Sequence, residues 1–171
     1  MSFLTEKKLV LEFYKSLEVS KKRDITEVLT KYCSKDIFWR GFHPFNEING
    51  IDSVNELFWH PLKSSLSSLT RRMDIFFAGK NEISGFEGVW VASMGHLMGL
   101  FDKQWLNIKP SNKLIFLRYA EFSKVVSGKI EETAMFFDIP HFMIQAGLSP
   151  FHYQTGANLV QPGPSSHDGL L

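Results

Sequence analysis

The spacing of apolar and polar residues predicts helices in the first part of the chain and strands after residue 70. Thr5 is a residue type that caps helices, and the apolar positions behind it recur at intervals of three and four: Leu9, Val10, Phe13, Tyr14 and Leu17. A second short helix is predicted from Asp24, and a third begins near Asp52. Between them, the aromatic run DIFWRGFHPF predicts a strand that ends in a loop at Pro44.

Beyond residue 70 the sequence predicts strands that are separated by turn signals. The four segments are RRMDIFFAG, GFEGVWVASMGHLMGLF, KLIFLRYAEFSKVV and KIEETAMFFDI. Short turns between neighbouring strands predict an antiparallel meander, and helices followed by strands indicate the α+β class. We therefore predict N-terminal helices packed on a strongly curved antiparallel sheet, a cone-shaped α+β barrel with an internal pocket. Residues 1–150 form this domain, and the proline- and glycine-rich residues 151–171 form an extended tail or arm.

Alternation along the predicted strands places polar groups on apolar faces. Both faces of GVWVASMGHLMGLF are mostly apolar, so one is expected to pack on the helices and the other to form a cavity or a subunit contact. His96 lies in the set with the larger side chains, beside Trp90 and Met94. In the last strand, Asp138 closes a set that also holds Ile130, Glu132, Ala134 and Phe136. Buried polar groups are costly without partners, so this carboxylate either caps a turn or faces a pocket.

The composition excludes several classes of function. Charged residues make up 22% and apolar residues 44% of the 171 residues, with a net charge of +1, as expected for a soluble domain without a large basic surface. Nucleic acid and membranes are therefore not predicted partners. The N-terminus does not resemble a signal peptide, and Cys33, the single cysteine, excludes an internal disulfide. We expect a cytoplasmic protein whose apolar sheet face favours a homodimer.

The motifs MGHLMG, KPSNK, SGKIEETAMFFD and QAG resemble, in order and spacing, those of the SnoaL-like polyketide cyclases. This family belongs to the cone-shaped α+β barrels named after nuclear transport factor two. Its pattern is close to Gly-Thr-His, Pro-Thr-Gly-Lys, Gly-Lys-Ile followed after seven residues by Asp, and Gln-Leu-Gly. Here residues 128–130 and Asp138 keep the third spacing, and the match covers roughly residues 48 to 148. The stretch from Gln145 to Gly169 also resembles the one that leads to a second domain copy in longer relatives.

The resemblance implies an intramolecular aldol ring closure on a small hydrophobic carbonyl or polyketide ester compound, without a metal or organic cofactor. It places Asp138 at the acid/base position, and His96 could hold or protonate the enolate. Ala134 replaces a common tryptophan and widens the predicted pocket. The abundant aromatic residues could hold a flat ligand. The predicted substrate-binding residues are Trp39, Phe42, His43, Trp90, Trp105, Tyr119, Ala134 and His141.

Other interpretations of these residues stay open. Asp138 directly precedes IPHFMIQAG and can cap that helix, and a histidine such as His96 is often a satisfied core residue. His43 and His141 lie beside prolines and fit loops. Together with His96 and Asp138 they lack the short spacing that is typical of a metal site, and Cys33 has no nucleophile signature around it.

Two further function classes fit the same fold. The chain could be a non-catalytic module that binds a small molecule or dimerises, or a hydrolase or dehydratase that uses the same acid/base pair. An Asp138 held by backbone amides at a helix start would favour the binding module. An Asp138 that is buried near His96 would favour the enzyme. Glu132 and Arg118 are predicted to form a charge pair across strands or at the pocket rim.

Overall fold

A computed structural model describes residues 3–82 and 85–151 of the chain. Helices α1 (Leu4–Val19) and α2 (Ile25–Tyr32) come first, with a 3-10 turn at Lys22–Asp24 between them. A third helical run consists of α3 (Ile51–Val54), a π turn (Asn55–Trp59) and α4 (His60–Ser65), and α5 (Ile139–Gln145) follows the last strand. The predicted tail lies outside the described residues from position 152 onwards.

Six strands form one curved, open sheet in the order β2-β1-β6-β5-β4-β3. Their bounds are β1 (Cys33–Arg40), β2 (Glu47–Asn49), β3 (Leu66–Gly79), β4 (Val89–Phe101), β5 (Leu114–Val126) and β6 (Lys129–Phe137). Strands β3 to β6 form the predicted antiparallel meander. The α+β class is thus confirmed, with the helices before the main strands as the sequence predicts.

One pair of strands departs from the all-antiparallel sheet that the sequence predicts. Strand β1 runs parallel to β6, with Cys33 opposite Ile130 and Trp39 opposite Thr133. No hairpin joins these two strands, so no turn fixes their relative direction, and short-range sequence signals cannot reveal it. The pair is irregular between Cys33 and Phe38, where β1 bulges away from its neighbour.

Two helix starts differ in how well they match the sequence signals. The prediction that Thr5 caps α1 is wrong, because the helix begins at Leu4 and Phe3 takes the N-cap position. Asp24 does precede α2 as predicted, although its side chain makes no capping hydrogen bond. Single-residue shifts of this kind are usual at helix ends. In the part of the chain that the structure describes, no helix is long and apolar enough to span a membrane.

The sheet has an inner face under the helices and an outer face that no helix covers within residues 3–82 and 85–151. Along β4 the odd-numbered residues, among them Val91, Leu97 and Phe101, join the buried core with the helices. The even-numbered residues point outward; Trp90 and Met94 among them are partly exposed, whereas Ala92 and His96 are buried. The core therefore lies between the inner face and the helices. The residues of β4 with the larger side chains lie on the outer face.

The core is dominated by stacked aromatic rings. The ring centroids of Trp39 and Phe58 lie 4.7 Å apart, and those of Phe58 and Phe137 lie 5.1 Å apart. Phe142 of α5 is fully buried against Phe101, with ring centroids 4.9 Å apart. Aromatic side chains bury a large apolar area each, so this cluster supplies much of the driving force for closing the cone.

Candidate functional site

The sheet divides the predicted site residues between its two faces. Trp39, Trp105 and Tyr119 are buried on the inner side, each at most 2% exposed. The indole nitrogens of both tryptophans have no hydrogen-bond partner. Trp105 packs against Phe142 with ring centroids 5.1 Å apart, so α5 closes the cone over it. These three aromatic residues belong to the packed core under the inner face.

The remaining predicted residues lie outside the cone. Trp90 and Ala134 are outer-face positions of β4 and β6, since each pairs with an outward residue of β5. Phe42 is 60% exposed in the loop after β1 and packs on the outer-face ring of Phe136. His43 is exposed in the same loop, and the half-buried His141 lies in the first turn of α5.

Asp138 caps helix α5. It occupies the N-cap position, and its Oδ1 accepts a hydrogen bond of 3.0 Å from the backbone N–H of His141. The residue also lines an open groove of about 290 Å³ on the outer face, together with Met94, Arg118, Ala120 and Phe136. The structure thus combines the two interpretations of this carboxylate, because it both caps a helix and faces a groove, but the groove lies outside the cone.

His96 is an outer-face residue that is nevertheless only 1% exposed. Its Nδ1 lies 3.5 Å from Oδ2 of Asp74, which is itself buried and held by Arg72. Neither ring nitrogen of His96 has a hydrogen-bond partner. Burial lowers the pKa of His96; the carboxylate of Asp74 opposes this shift, whereas the charges of Arg118 and Arg72 add to it. The imidazole is therefore held in its neutral form.

We predict that His96 makes stability depend on pH. Because its folded pKa lies below the ordinary value of 6.5, the unfolded chain binds the proton more tightly, and stability should fall as pH drops below 6.5. Urea unfolding between about pH 7.5 and about pH 5 should show this loss, and His96→Gln should flatten it. His43→Gln, in the exposed loop, is the control. Equal pH slopes for the wild type and His96→Gln would contradict the prediction.

A buried ion pair lies on the inner face, at a position where the sequence predicts no site. Nη1 of Arg71 on β3 lies 2.8 Å from Oε2 of Glu121 on β5, and the two side chains are 6% and 1% exposed. The guanidinium lies 3.7 Å from the ring centroid of Tyr14 and 4.4 Å from that of Tyr119. Ser93 shares a hydrogen bond of 2.8 Å with the hydroxyl of Tyr119. We call these five residues the interior cluster.

Several polar atoms in and beside the interior cluster have no partner. They are Oε1 of Glu121, the hydroxyl of Tyr14 and Oγ of Ser123, two residues beyond Glu121 on the same face. Buried polar groups in native proteins are almost always hydrogen-bonded to protein, water or ligand. The free donors and acceptors therefore mark this part of the cone as a place where a polar group of a bound molecule could be held.

The ionisation of the interior cluster suits acid/base chemistry. Burial alone would lower the pKa of Arg71. The interactions with Glu121 and both tyrosines outweigh this effect and raise the pKa above its ordinary value, so the guanidinium stays charged. Burial, together with the charge of Glu121, raises the pKa of Tyr14 well above its usual range. Burial also raises the pKa of Tyr119, although Arg71 opposes the shift. Both phenols therefore keep their protons and remain hydrogen-bond donors.

The free space beside the interior cluster is small. A cavity of about 20 Å³ reaches Arg71 and Tyr14 between α1, the third helical run and β3, which is room for one water molecule. Lys63 and Trp59 also line this cavity. Nζ of Lys63 holds the end of α1, since it donates to the carbonyls of Leu17 and Ser20. A larger ligand can reach the cluster only if these side chains move.

The predicted site residues include one member of the interior cluster, Tyr119, and none of the other four. The missing signal is the alternation along β5, where the inward set is Ile115, Leu117, Tyr119, Glu121, Ser123 and Val125. A carboxylate in the middle of such an apolar set needs a buried partner. The partner, Arg71, comes from a strand that is not adjacent to β5, so its identity depends on the three-dimensional arrangement.

The structure also shows which residue Glu132 contacts. The predicted pair of Glu132 with Arg118 is wrong, because Glu132 contacts Arg40 on the neighbouring strand β1. Arg40 precedes Glu132 by 92 positions, so sequence spacing could not reveal the contact.

Cys33 is buried, and burial raises its pKa to about 12, so its sulfur remains a thiol. Among the residues that the structure describes, no three metal-ligating side chains cluster.

Comparison with solved structures identifies the fold. A candidate SnoaL-like polyketide cyclase from Jannaschia sp. CCS1 matches with a TM-score of 0.67 and 14% identity over 86% of this chain and 94% of that one. This chain has the SnoaL-like fold. AclR, a candidate hydroxylase from Streptomyces galilaeus, matches with a TM-score of 0.68 and 16% identity over 85% of this chain and 98% of that one.

The SnoaL-like fold extends to a wider group of solved structures. An NTF2-like protein from Burkholderia thailandensis E264 matches with a TM-score of 0.59 and 17% identity, over 82% of this chain and 95% of that one. No protein-family model matches the sequence, and no curated relative matches it either. The predicted resemblance is thus confirmed for the fold. Identities this low carry no information about the residues that act.

Proposed function

We propose that the chain catalyses cofactor-free acid/base chemistry on a small hydrophobic carbonyl compound inside the cone, with Glu121 as the base. The observation that carries this proposal is the free Oε1 of a buried, ion-paired carboxylate beside two protonated phenols. Solved structures of similar fold are named as a polyketide cyclase and an isomerase, which supports chemistry of this class.

The proposed reaction begins with proton transfer from the carbon between two carbonyl groups. Oε1 of Glu121 takes the proton, and the electron pair of the C–H bond forms an enolate. The hydroxyls of Tyr14 and Tyr119 would donate hydrogen bonds to the enolate oxygen. Arg71 holds Oε2 and thereby fixes the position of the carboxylate. The enolate then either regains the proton at another atom, which is an isomerisation, or attacks a second carbonyl, which closes a ring.

Asp138 and His96 remain the competing pair. Asp138 faces the outer groove and keeps one carboxylate oxygen outside the capping hydrogen bond, so a ligand in the groove could meet it. His96 cannot assist it directly in this conformation, because the imidazole is buried and its Nδ1 lies beside Asp74. The interior cluster is the better candidate, since it is shielded from water and supplies the base and the hydrogen-bond donors together.

The test is deuterium exchange at the central methylene of a simple β-keto ester, followed by NMR. We expect the wild type to accelerate exchange over buffer and Glu121→Gln to lose about 100-fold or more of the acceleration, as is usual when a general base is removed. Tyr119→Phe should also slow the exchange, because it removes one donor to the enolate. Glu131→Gln, an exposed carboxylate on β6, is the control. Each variant is first checked for cooperative unfolding.

Two outcomes would change the assignment. Exchange that is lost in Asp138→Asn and kept in Glu121→Gln would place the base in the outer groove. No acceleration by the wild type with esters of several sizes would favour the second candidate, a non-catalytic binding module. That candidate is favoured by the aromatic rings that fill the cone and by the capping role of Asp138.

A further inference from the structure

The small cavity beside the interior cluster lies where several elements end or lose their regular geometry. Its lining comes from the last turn of α1, from Trp59 in the π turn and from β3 at Leu69. Strand β3 shifts its register against β4 at this point, and Ser68 has a φ of 54°. Both π turns and β-bulges occur frequently beside functional sites. An opening at this wall would separate the ends and irregular parts of elements and leave the sheet intact.

Lys63 of α4 closes this cavity towards α1. Its ammonium group donates hydrogen bonds to the carbonyl of Leu17 and, at 2.7 and 3.0 Å, to the carbonyl and Oγ of Ser20. The last carbonyls of a helix have no partner within the helix, and α1 has no basic residue in its own last turn. All three N–H donors of Lys63 are thus used at the end of α1. The side chain therefore ties α1 to α4.

Glu18 closes the same cavity towards the sheet. Its Oε2 accepts a hydrogen bond of 3.2 Å from the backbone N–H of Arg71. Strand β3 forms one edge of the sheet, where backbone N–H groups have no further strand to pair with. Arg71 also supplies the guanidinium of the interior cluster. We call the hydrogen bonds made by Lys63 and Glu18 the closing contacts.

We propose that substrates reach Glu121 between the end of α1 and β3, and that Lys63 and Glu18 determine how large a molecule can enter. With the closing contacts formed, the cavity of about 20 Å³ has room for one water molecule, so a β-keto ester needs these contacts to break. Water can satisfy the groups that are then released, whereas entry through the aromatic core would separate buried rings. This inference rests on the proposed function, because it assigns the route to the proposed base.

The closing contacts should weaken the apparent binding of any larger substrate. Only the open form binds such a molecule, so its apparent dissociation constant is the intrinsic constant divided by the open fraction. Lys63→Met removes three hydrogen bonds and keeps a side chain of similar length, so the open fraction should rise about 10-fold. The KM for exchange should then fall by a similar factor, while kcat stays nearly unchanged because the interior cluster is intact.

The test measures the binding of benzyl acetoacetate by NMR titration, alongside the KM for exchange of its central methylene. Binding should shift the methyl signals of Leu69 and Leu97, which line the cavity. The dissociation constant should be about 10-fold lower for Lys63→Met than for the wild type. Hydrogen exchange of the Ser20 backbone amide, at the end of α1, should also be about 10-fold faster in this variant. Lys15→Met, exposed on the same helix, is the matched control and should behave as the wild type.

A second variant tests the other side of the cavity and does not depend on the folding of Lys63→Met. Glu18→Leu removes the acceptor for the N–H of Arg71, so it should tighten binding of the ester by about 3-fold or more. Glu18→Gln keeps an acceptor oxygen and should restore the wild-type dissociation constant. An effect of Glu18→Leu that Glu18→Gln does not reverse would mean that the carboxylate acts through its charge and not through this hydrogen bond, which contradicts the closing role.

The route and the base can fail separately. The proposed route is overturned if the ester binds neither Lys63→Met nor Glu18→Leu more tightly than the wild type, or if the methyl signals of Leu69 and Leu97 do not shift. Exchange that persists in Glu121→Gln would overturn the proposed base alone. Tighter binding to the two variants, with shifts at these methyl groups, would still place the entrance between α1 and β3.

Discussion

Replacing Arg71 with methionine should destabilise the protein by about 3–5 kcal/mol, the usual cost of breaking a buried ion pair from one side. The change removes the 2.8 Å contact to Glu121 and leaves that carboxylate 1% exposed with no cationic partner. It also removes the guanidinium that packs between the rings of Tyr14 and Tyr119. Urea unfolding at neutral pH measures the loss.

Two further variants identify the ion pair as the cause. Arg71→Met combined with Glu121→Leu should lose less stability than Arg71→Met alone, since an apolar pair can replace a buried ion pair at little cost. Arg40→Met is the control, because its contact with Glu132 lies at the surface and should contribute at most about 1 kcal/mol. A double variant that is as unstable as the sum of the single variants would mean that Arg71 acts through its ring contacts alone.

The fold was predictable because its signals are local. Apolar spacing predicts α1 and α2, and the turn signals Asn81, the run IKPSN and Ser127-Gly128 separate the strands of the meander. The parallel contact of β1 with β6 was not predictable, because it joins distant segments without a hairpin. Local patterns therefore predicted the elements and their class, while one strand direction required the packed structure.

The candidate site was less predictable than the fold, because strand parity alone does not say which face looks inward. The sequence placed His96 in the set with the larger side chains, and that set turned out to lie on the outer face. The inner set of β4 contains Ser93 and two glycines, which leave room for Tyr119 and for neighbouring backbone. Glu121 and Arg71 could be recognised as a pair only from the structure, in which their side chains project from the same face of the sheet.

The two faces of the sheet thus have different chemistry and support different roles. The inner face buries its charges in a pair and leaves hydroxyls free, which suits the binding and activation of a carbonyl group. The outer face combines apolar side chains with the groove that Asp138, the competing base, lines.

Replacing Gly95 with alanine should destabilise the protein by about 3 kcal/mol or more, beyond the usual cost of overpacking. A Cβ at this position would lie 2.0 Å from the backbone oxygen of Arg72 and 3.1 Å from the Cα of Met73. The neighbours cannot yield easily, because they are backbone atoms of β3, just before the register shift between Met73 and Ile75. The bulge presents Asp74 to His96, so relief of the clash would move that buried pair apart.

Gly79→Ala is the matched control, because Gly79 also lies on β3 and a Cβ there would meet no atom within 4 Å. It should change stability by less than about 0.5 kcal/mol, as surface substitutions usually do. Gly99→Ala should fall between the two, since its nearest neighbour is the side-chain Cβ of Leu66 at 2.9 Å. Thermal and urea unfolding of the three variants give the order directly. Equal stability of Gly95→Ala and Gly79→Ala would mean that β3 can shift away from β4, and that the position of Asp74 does not depend on this glycine.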